Sequence, residues 1–202
     1  MLKKKSLSLS LIYILTAIIL SVIVTAVFIA IGKAADDTVA KQRAELLANA
    51  DFLTESSFDT PSGDKLDSSI YKNAKVTVIN FWAPWCGPCC SEIPDLVNLS
   101  HEYADKGLQI VGIVPDYSTP SSTSSQQEYL DDINKKISEL SIDYSIGLAD
   151  EAAYGEINKL SPSIPFTIVV DSNGKPIDDL VVGAYSADEW KTMFDKWLSS
   201  VN

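Results

Sequence analysis

The sequence predicts an α/β domain, a central mixed sheet flanked by helices, preceded by one N-terminal transmembrane helix. Three observations carry this. After residue 54, short β-branched and aromatic runs alternate with amphipathic segments of helical period, which implies a mainly parallel sheet with helices on both faces. An Asn173–Gly174 turn adds antiparallel strands near the C-terminus. An uncharged stretch, Ser6–Gly32, precedes the rest.

That stretch exceeds the ~20 apolar residues a helix needs to cross a bilayer and is longer than a signal peptide's apolar region. An uncleaved anchor is therefore favoured over a signal cut around Gly32–Ala35. Lys3, Lys4 and Lys5 orient it, because positive residues stay on the cytoplasmic side. All 27 acids then lie outside the cytoplasm, with every cysteine. The expected organisation is residues 1–33 as basic end and anchor, 34–53 as helical stalk or linker, and 54–202 as the folded domain. Disulfides persist in that compartment.

Asp36 and Asp37 suit a helix start, and Val39, Leu46, Ala50 and Leu53 follow helical spacing, so 36–53 reads as a helix. Residues 54–69 are polar, with Pro61 and Gly63 marking a turn. KVTVINFWA (75–83) reads as a buried strand. Residues 89–107 read as a helix closed by Gly107 and kinked by Pro94. LQIVGIVPD (108–116) is the next strand, and 118–125 a Ser-rich loop. Residues 126–140 are amphipathic through Tyr129, Ile133, Ile137 and Leu140. A strand at 142–148 and a helix at 151–160 follow. Residues 165–171 and 176–185 form the hairpin. The last helix, 186–201, opens on a Ser186/Glu189 capping box and buries Trp190, Phe194 and Trp197. The order is β-α-β-α-β-α-β-β-α.

The net charge is −11. Nucleic-acid binding is not expected, because it needs a basic patch to neutralise phosphates. The chemistry concentrates in WAPWCGPCC, Trp82–Cys90, which holds all three cysteines. Cys86-Gly87-Pro88-Cys89 follows a strand and opens a helix. Unpaired N–H groups and aligned peptide dipoles there stabilise a thiolate, which points to Cys86 as nucleophile. Cys89, one turn further in, is placed to attack a mixed disulfide on Cys86. The spacer admits both dithiol and disulfide, and Pro88 is tolerated in a first helical turn.

Zinc is disfavoured, because the only histidine, His101, lies on the order of 18 Å along the same helix. His101 reads as a surface residue. A structural staple is disfavoured too, since so short a loop restrains little chain. Cys90 points about 100° away from Cys89 and reads as a small, part-buried apolar side chain, with a third redox thiol as alternative.

FWAPWCGPC, with SIPFTIVVD downstream, resembles the thioredoxin superfamily. More closely, the anchor, INFWAPWC and the Glu92-Ile93-Pro94 that follows are similar to the membrane-anchored TlpA/ResA type. The resemblance covers about 54–202 and implies a thioredoxin-like fold with no cofactor beyond a Cys86–Cys89 disulfide. It implies that Trp85 shapes a docking surface, that Pro165 is cis, and that Ile164 offers backbone hydrogen bonds to a substrate segment. It also implies that Glu92 influences proton transfer at the cysteines, against the plainer reading of a solvated glutamate. The chain departs at Asn80, where cytosolic thioredoxins carry a buried Asp, and at Cys90, where a basic residue is common.

The implied activity is extracytoplasmic thiol–disulfide exchange, with reduction of exported proteins such as apocytochrome c favoured by the CGPC spacer. A CcdA/DsbD-like membrane protein would supply electrons. The alternatives are a disulfide-forming oxidase or isomerase, and a membrane-tethered client-binding adaptor.

Overall fold

A computed structural model describes residues 9–48, 51–118 and 125–201. Lys3–Lys5, Ala50 and residues 119–124 of the Ser-rich loop lie outside them. The chain divides into two compact units, Met1–Gln42 and Arg43–Asn202.

Helix α1 (Leu9–Ala48) begins in the first unit and carries the stretch Ile12–Val39, whose most apolar window has a mean hydropathy of 3.0. It is long and apolar enough to cross a membrane. Ile12, Phe28 and Ile29 are exposed, as befits side chains suited to lipid. A fresh helix start was expected at Asp36–Asp37. Instead α1 runs on to Ala48, since no proline interrupts it.

In the second unit the elements are α2 (Phe52–Glu55), β1 (Phe58–Asp59), β2 (Lys65–Leu66), a 3₁₀ turn (Ser68–Asn73), β3 (Val76–Phe81), α3 (Gly87–Ala104), β4 (Leu108–Val114), α4 (Gln126–Glu139), β5 (Ser145–Leu148), α5 (Glu151–Leu160), β6 (Phe166–Asp171), β7 (Val181–Val182) and α6 (Ala187–Ser200). Among the described residues, the strands form one sheet in the order β2-β1-β5-β4-β3-β6-β7. β3, β4 and β5 are parallel, and β6 returns antiparallel to β3.

Period-2 alternation divides the core. Ile79 and Phe81 of β3 pack with Ile157 and Leu160 of α5, and with Leu47, Leu53 and Phe58. Val76 and Val78 face Leu96 and Tyr103 of α3 and Trp190, Phe194 and Trp197 of α6. The same alternation puts Asn80 on the α3 side.

Two elements differ from expectation. The polar segment 54–69 contains a small hairpin: Phe58 pairs with Leu66, both buried, across a turn where Gly63 takes a φ of 90°. Its two apolar anchors were hidden among Ser, Asp and Gly. The C-terminal hairpin turns where expected, with Gly174 N–H donating to Asp171 O at 2.9 Å. Its second strand shrinks to β7, because Pro176 lacks a ladder donor and the Asp178 carboxylate is drawn to α6, accepting from Trp197 Nε1 at 2.7 Å and Lys196 Nζ at 2.6 Å.

Candidate active site

β3 ends at Phe81 and the chain turns through Trp82–Trp85 into α3. Cys86 is the N-cap, its φ of −82° and ψ of 101° outside the helix, and its Sγ accepts the Cys89 backbone N–H at 3.3 Å. Gly87 and Pro88 fill the first helical turn, where proline forfeits no helical hydrogen bond. Cys86 and Cys89 form a disulfide with a Cα–Cα distance of 5.3 Å. Both cysteines are buried, while Gly87, Pro88 and Trp85 are exposed.

The Ile164–Pro165 peptide bond is cis. Pro165 O accepts from Gly183 N–H at 2.9 Å, but no hydrogen bond to Ile164 N–H or C=O is made among the described residues. Ile164 packs against the cluster that holds Trp82, Cys86 and Cys89.

Glu92, one turn beyond Cys89, is 2 % exposed. The solvated-glutamate reading therefore fails. Its Oε1 accepts from Asn80 Nδ2 at 3.1 Å and its Oε2 from the Tyr185 backbone N–H at 3.1 Å. Asn80 Nδ2 also donates to Thr167 Oγ1 at 3.2 Å, since Asn80 and Thr167 face each other across β3 and β6. Burial pushes the Glu92 carboxyl up from 4.5 to about 7, against smaller opposing contributions from these donors and from Trp190. Burial disfavours a charge more than two neutral donors restore it.

Cys90 is half-buried and outside the disulfide. Its Sγ lies 3.6 Å from Pro84 O, and burial raises its thiol pKa, with Lys136 opposing the rise and Glu139 adding a little to it. His101 is exposed and pairs with Asp143 at 2.6 Å. No metal-type cluster of His, Cys, Asp and Glu occurs among the described residues.

Sequence reasoning missed Thr167 and Tyr185, which meet Glu92 and Asn80 only through folding. It also missed Asp116, which is buried and accepts from Trp85 Nε1 at 3.1 Å and from Tyr129 OH at 2.6 Å. One signal pointed to Asp116, namely its place just beyond the carboxyl end of a parallel strand, where α/β sheets gather their sites.

A mixed sheet with a cysteine pair at a strand-to-helix junction, and a cis-proline at the head of the strand paired with that junction's strand, defines the thiol–disulfide oxidoreductases of the thioredoxin type. Comparison with known proteins narrows this. The chain belongs to the redoxin family, whose sequence profile matches residues 48–186. It is 30% identical over 139 residues to the thioredoxin-like protein YneN of Bacillus subtilis, covering 69% of this chain and 74% of that protein. It is 29% identical over 114 residues to the thiol-disulfide oxidoreductase ResA of Oceanobacillus iheyensis, covering 56% of this chain. The match spans about half of that relative's length, 53%. A crystal structure of a thiol:disulfide interchange protein of the thioredoxin family from Chlorobium tepidum superposes with a TM-score of 0.57 at 26% identity, covering 71% of this chain and 92% of that one.

Proposed function

We propose that this chain is a membrane-anchored, extracytoplasmic reductant of disulfides in exported proteins, with apocytochrome c cysteines among its clients. The observation that carries the exchange chemistry is the Cys86 N-cap, whose sulfur already accepts a helix N-terminal N–H and is thereby prepared to bear a thiolate. Reduced Cys86 attacks a client disulfide and expels one client thiolate, forming a mixed disulfide. Cys89 then attacks the Cys86 sulfur, releases the second client thiolate and closes the Cys86–Cys89 disulfide. Two electrons pass to the client. Glu92, poised near 7, accepts the Cys89 proton as that thiol becomes a nucleophile. Trp85 shapes the docking surface, and the open Ile164 backbone supports strand-like pairing with an extended client segment.

The reductant direction is supported by the CGPC spacer and by the apolar helix behind Lys3–Lys5, which would tether the domain beside a CcdA/DsbD-like donor. That donor must return two electrons and two protons per cycle. The test is the reduction potential of the domain against glutathione or dithiothreitol. We expect a value near thioredoxin's, about −270 mV; a value near about −120 mV, that of a strong oxidant, overturns the reductant reading. Client identity is read from Cys89→Ser, which leaves Cys86 to hold the mixed disulfide. Recovery of exported cysteine proteins supports the proposal, and an empty trap counts against it.

A further inference from the structure

Two carboxylates are buried among the described residues, Glu92 and Asp116. Burying a carboxylate is unfavourable unless its oxygens are hydrogen-bonded, and both Asp116 oxygens are engaged. Oδ2 accepts from Trp85 Nε1 at 3.1 Å, and Oδ1 accepts from Tyr129 OH at 2.6 Å. The triangle closes, with Trp85 Nε1 also 3.2 Å from the Tyr129 hydroxyl oxygen. Trp85 is otherwise 58 % exposed, so its polar edge is held while its ring stays open to a partner.

Tyr129 belongs to the first turn of α4, far from Trp85 in sequence. The start of α4 is set by a capping box, with Ser125 N–H donating to Glu128 Oε2 at 2.9 Å and Glu128 N–H to Ser125 Oγ at 3.2 Å. Tyr117 stacks on Tyr129 with ring centroids 6.5 Å apart. Trp85 also lines a groove of about 390 Å³, together with Asp116, Tyr154, Asn158, Ile164 and Phe166. The orientation of Trp85 therefore decides the shape of one wall of that groove.

We propose that Asp116 and Tyr129 are positioning residues for client recognition. They lock the Trp85 indole, so that α4 sets the docking surface beside Cys86. The proposal rests on the oxidoreductase reading above. A hydrogen bond to a charged acceptor fixes geometry more firmly than a neutral one. Losing it frees Trp85 to rotate, and weakens docking without touching the sulfurs.

The experiment uses Tyr129→Phe and Asp116→Asn, each made in the native chain and in a Trp85→Phe background. Tyr129→Phe keeps the ring packing, and a thermal melt verifies the fold of each variant. Two rates are measured: exchange of the reduced protein with a synthetic peptide carrying an oxidised Cys-x-x-Cys-His segment, and reduction of the oxidised protein by dithiothreitol. The expected result is a loss of about 3- to 10-fold against the peptide, unchanged dithiothreitol rates, and no further loss in the Trp85→Phe background. The Trp85 indole N–H signal in NMR should shift and exchange faster in both single variants. An equal loss against both probes, or the same loss persisting in the Trp85→Phe background, overturns the proposal. A native protein that exchanges with neither probe overturns the oxidoreductase reading itself and this inference with it.

Discussion

Glu92 shows how one side chain is made responsive near neutrality. Its folded pKa of about 7 lies above the ordinary 4.5, with burial as the leading cause. Folding therefore favours the protonated form. The stabilisation from that form is complete below about 4.5 and is lost as pH rises through 7. Glu92→Gln mimics the neutral state. It should flatten the pH dependence of stability across that window and raise stability above it by on the order of 1–3 kcal/mol, read by urea titration at several pH values. The same substitution should remove a limb near 7 from the pH profile of exchange. A profile that keeps the limb would exclude Glu92 as proton acceptor. The acid was legible in the sequence as a neighbour of Cys89 on one helix face. Its burial was not, because Asn80 and Tyr185 reach it from β3 and from the segment before α6.

At the scale of elements, β4 is tightly confined where it passes Trp82. Gly112 sits where an added Cβ would lie 2.5 Å from Ile146 Cδ1 and 2.9 Å from Trp82 Nε1. Trp82 and Ile146 are both buried. Gly112→Ala should destabilise the domain by roughly 1–3 kcal/mol through overpacking, measured as a lowered denaturant midpoint. An unchanged midpoint would mean that the Trp82 side moves freely, contrary to its burial. Strands and helices with strong period were legible: α5 matches its expected 151–160 bounds, and α6 opens with Glu189 Oε2 accepting from Ser186 N–H at 2.9 Å. The β1–β2 hairpin was not legible, because strands of two residues each are too short to show alternation.

For the whole molecule, the compact unit begins at Arg43, and its core includes Leu47 and Leu53, both nearly inaccessible to solvent. Leu53 O also accepts the Tyr71 hydroxyl at 2.9 Å. A chain starting at residue 43 should therefore fold as a stable domain, whereas one starting at residue 54 should lose about 2–5 kcal/mol, because it lacks the two buried leucines and leaves the tyrosine hydroxyl without its acceptor. Equal urea midpoints for the two chains would refute this. At this scale the apolar helix was legible from Ser6–Gly32, because a run without charge is a property of composition.

What the sequence by itself determined is local. The CGPC motif, its strand-to-helix setting, the apolar helix and the alternation of elements all depend on neighbours a few residues apart. Only the tertiary structure decided that Glu92 is buried, that Asn80 and Thr167 meet beneath it, and that Asp116 and Tyr129 hold Trp85. Those contacts join residues as far as 93 positions apart. Their chemistry comes from exclusion of water, which no short stretch of chain provides alone.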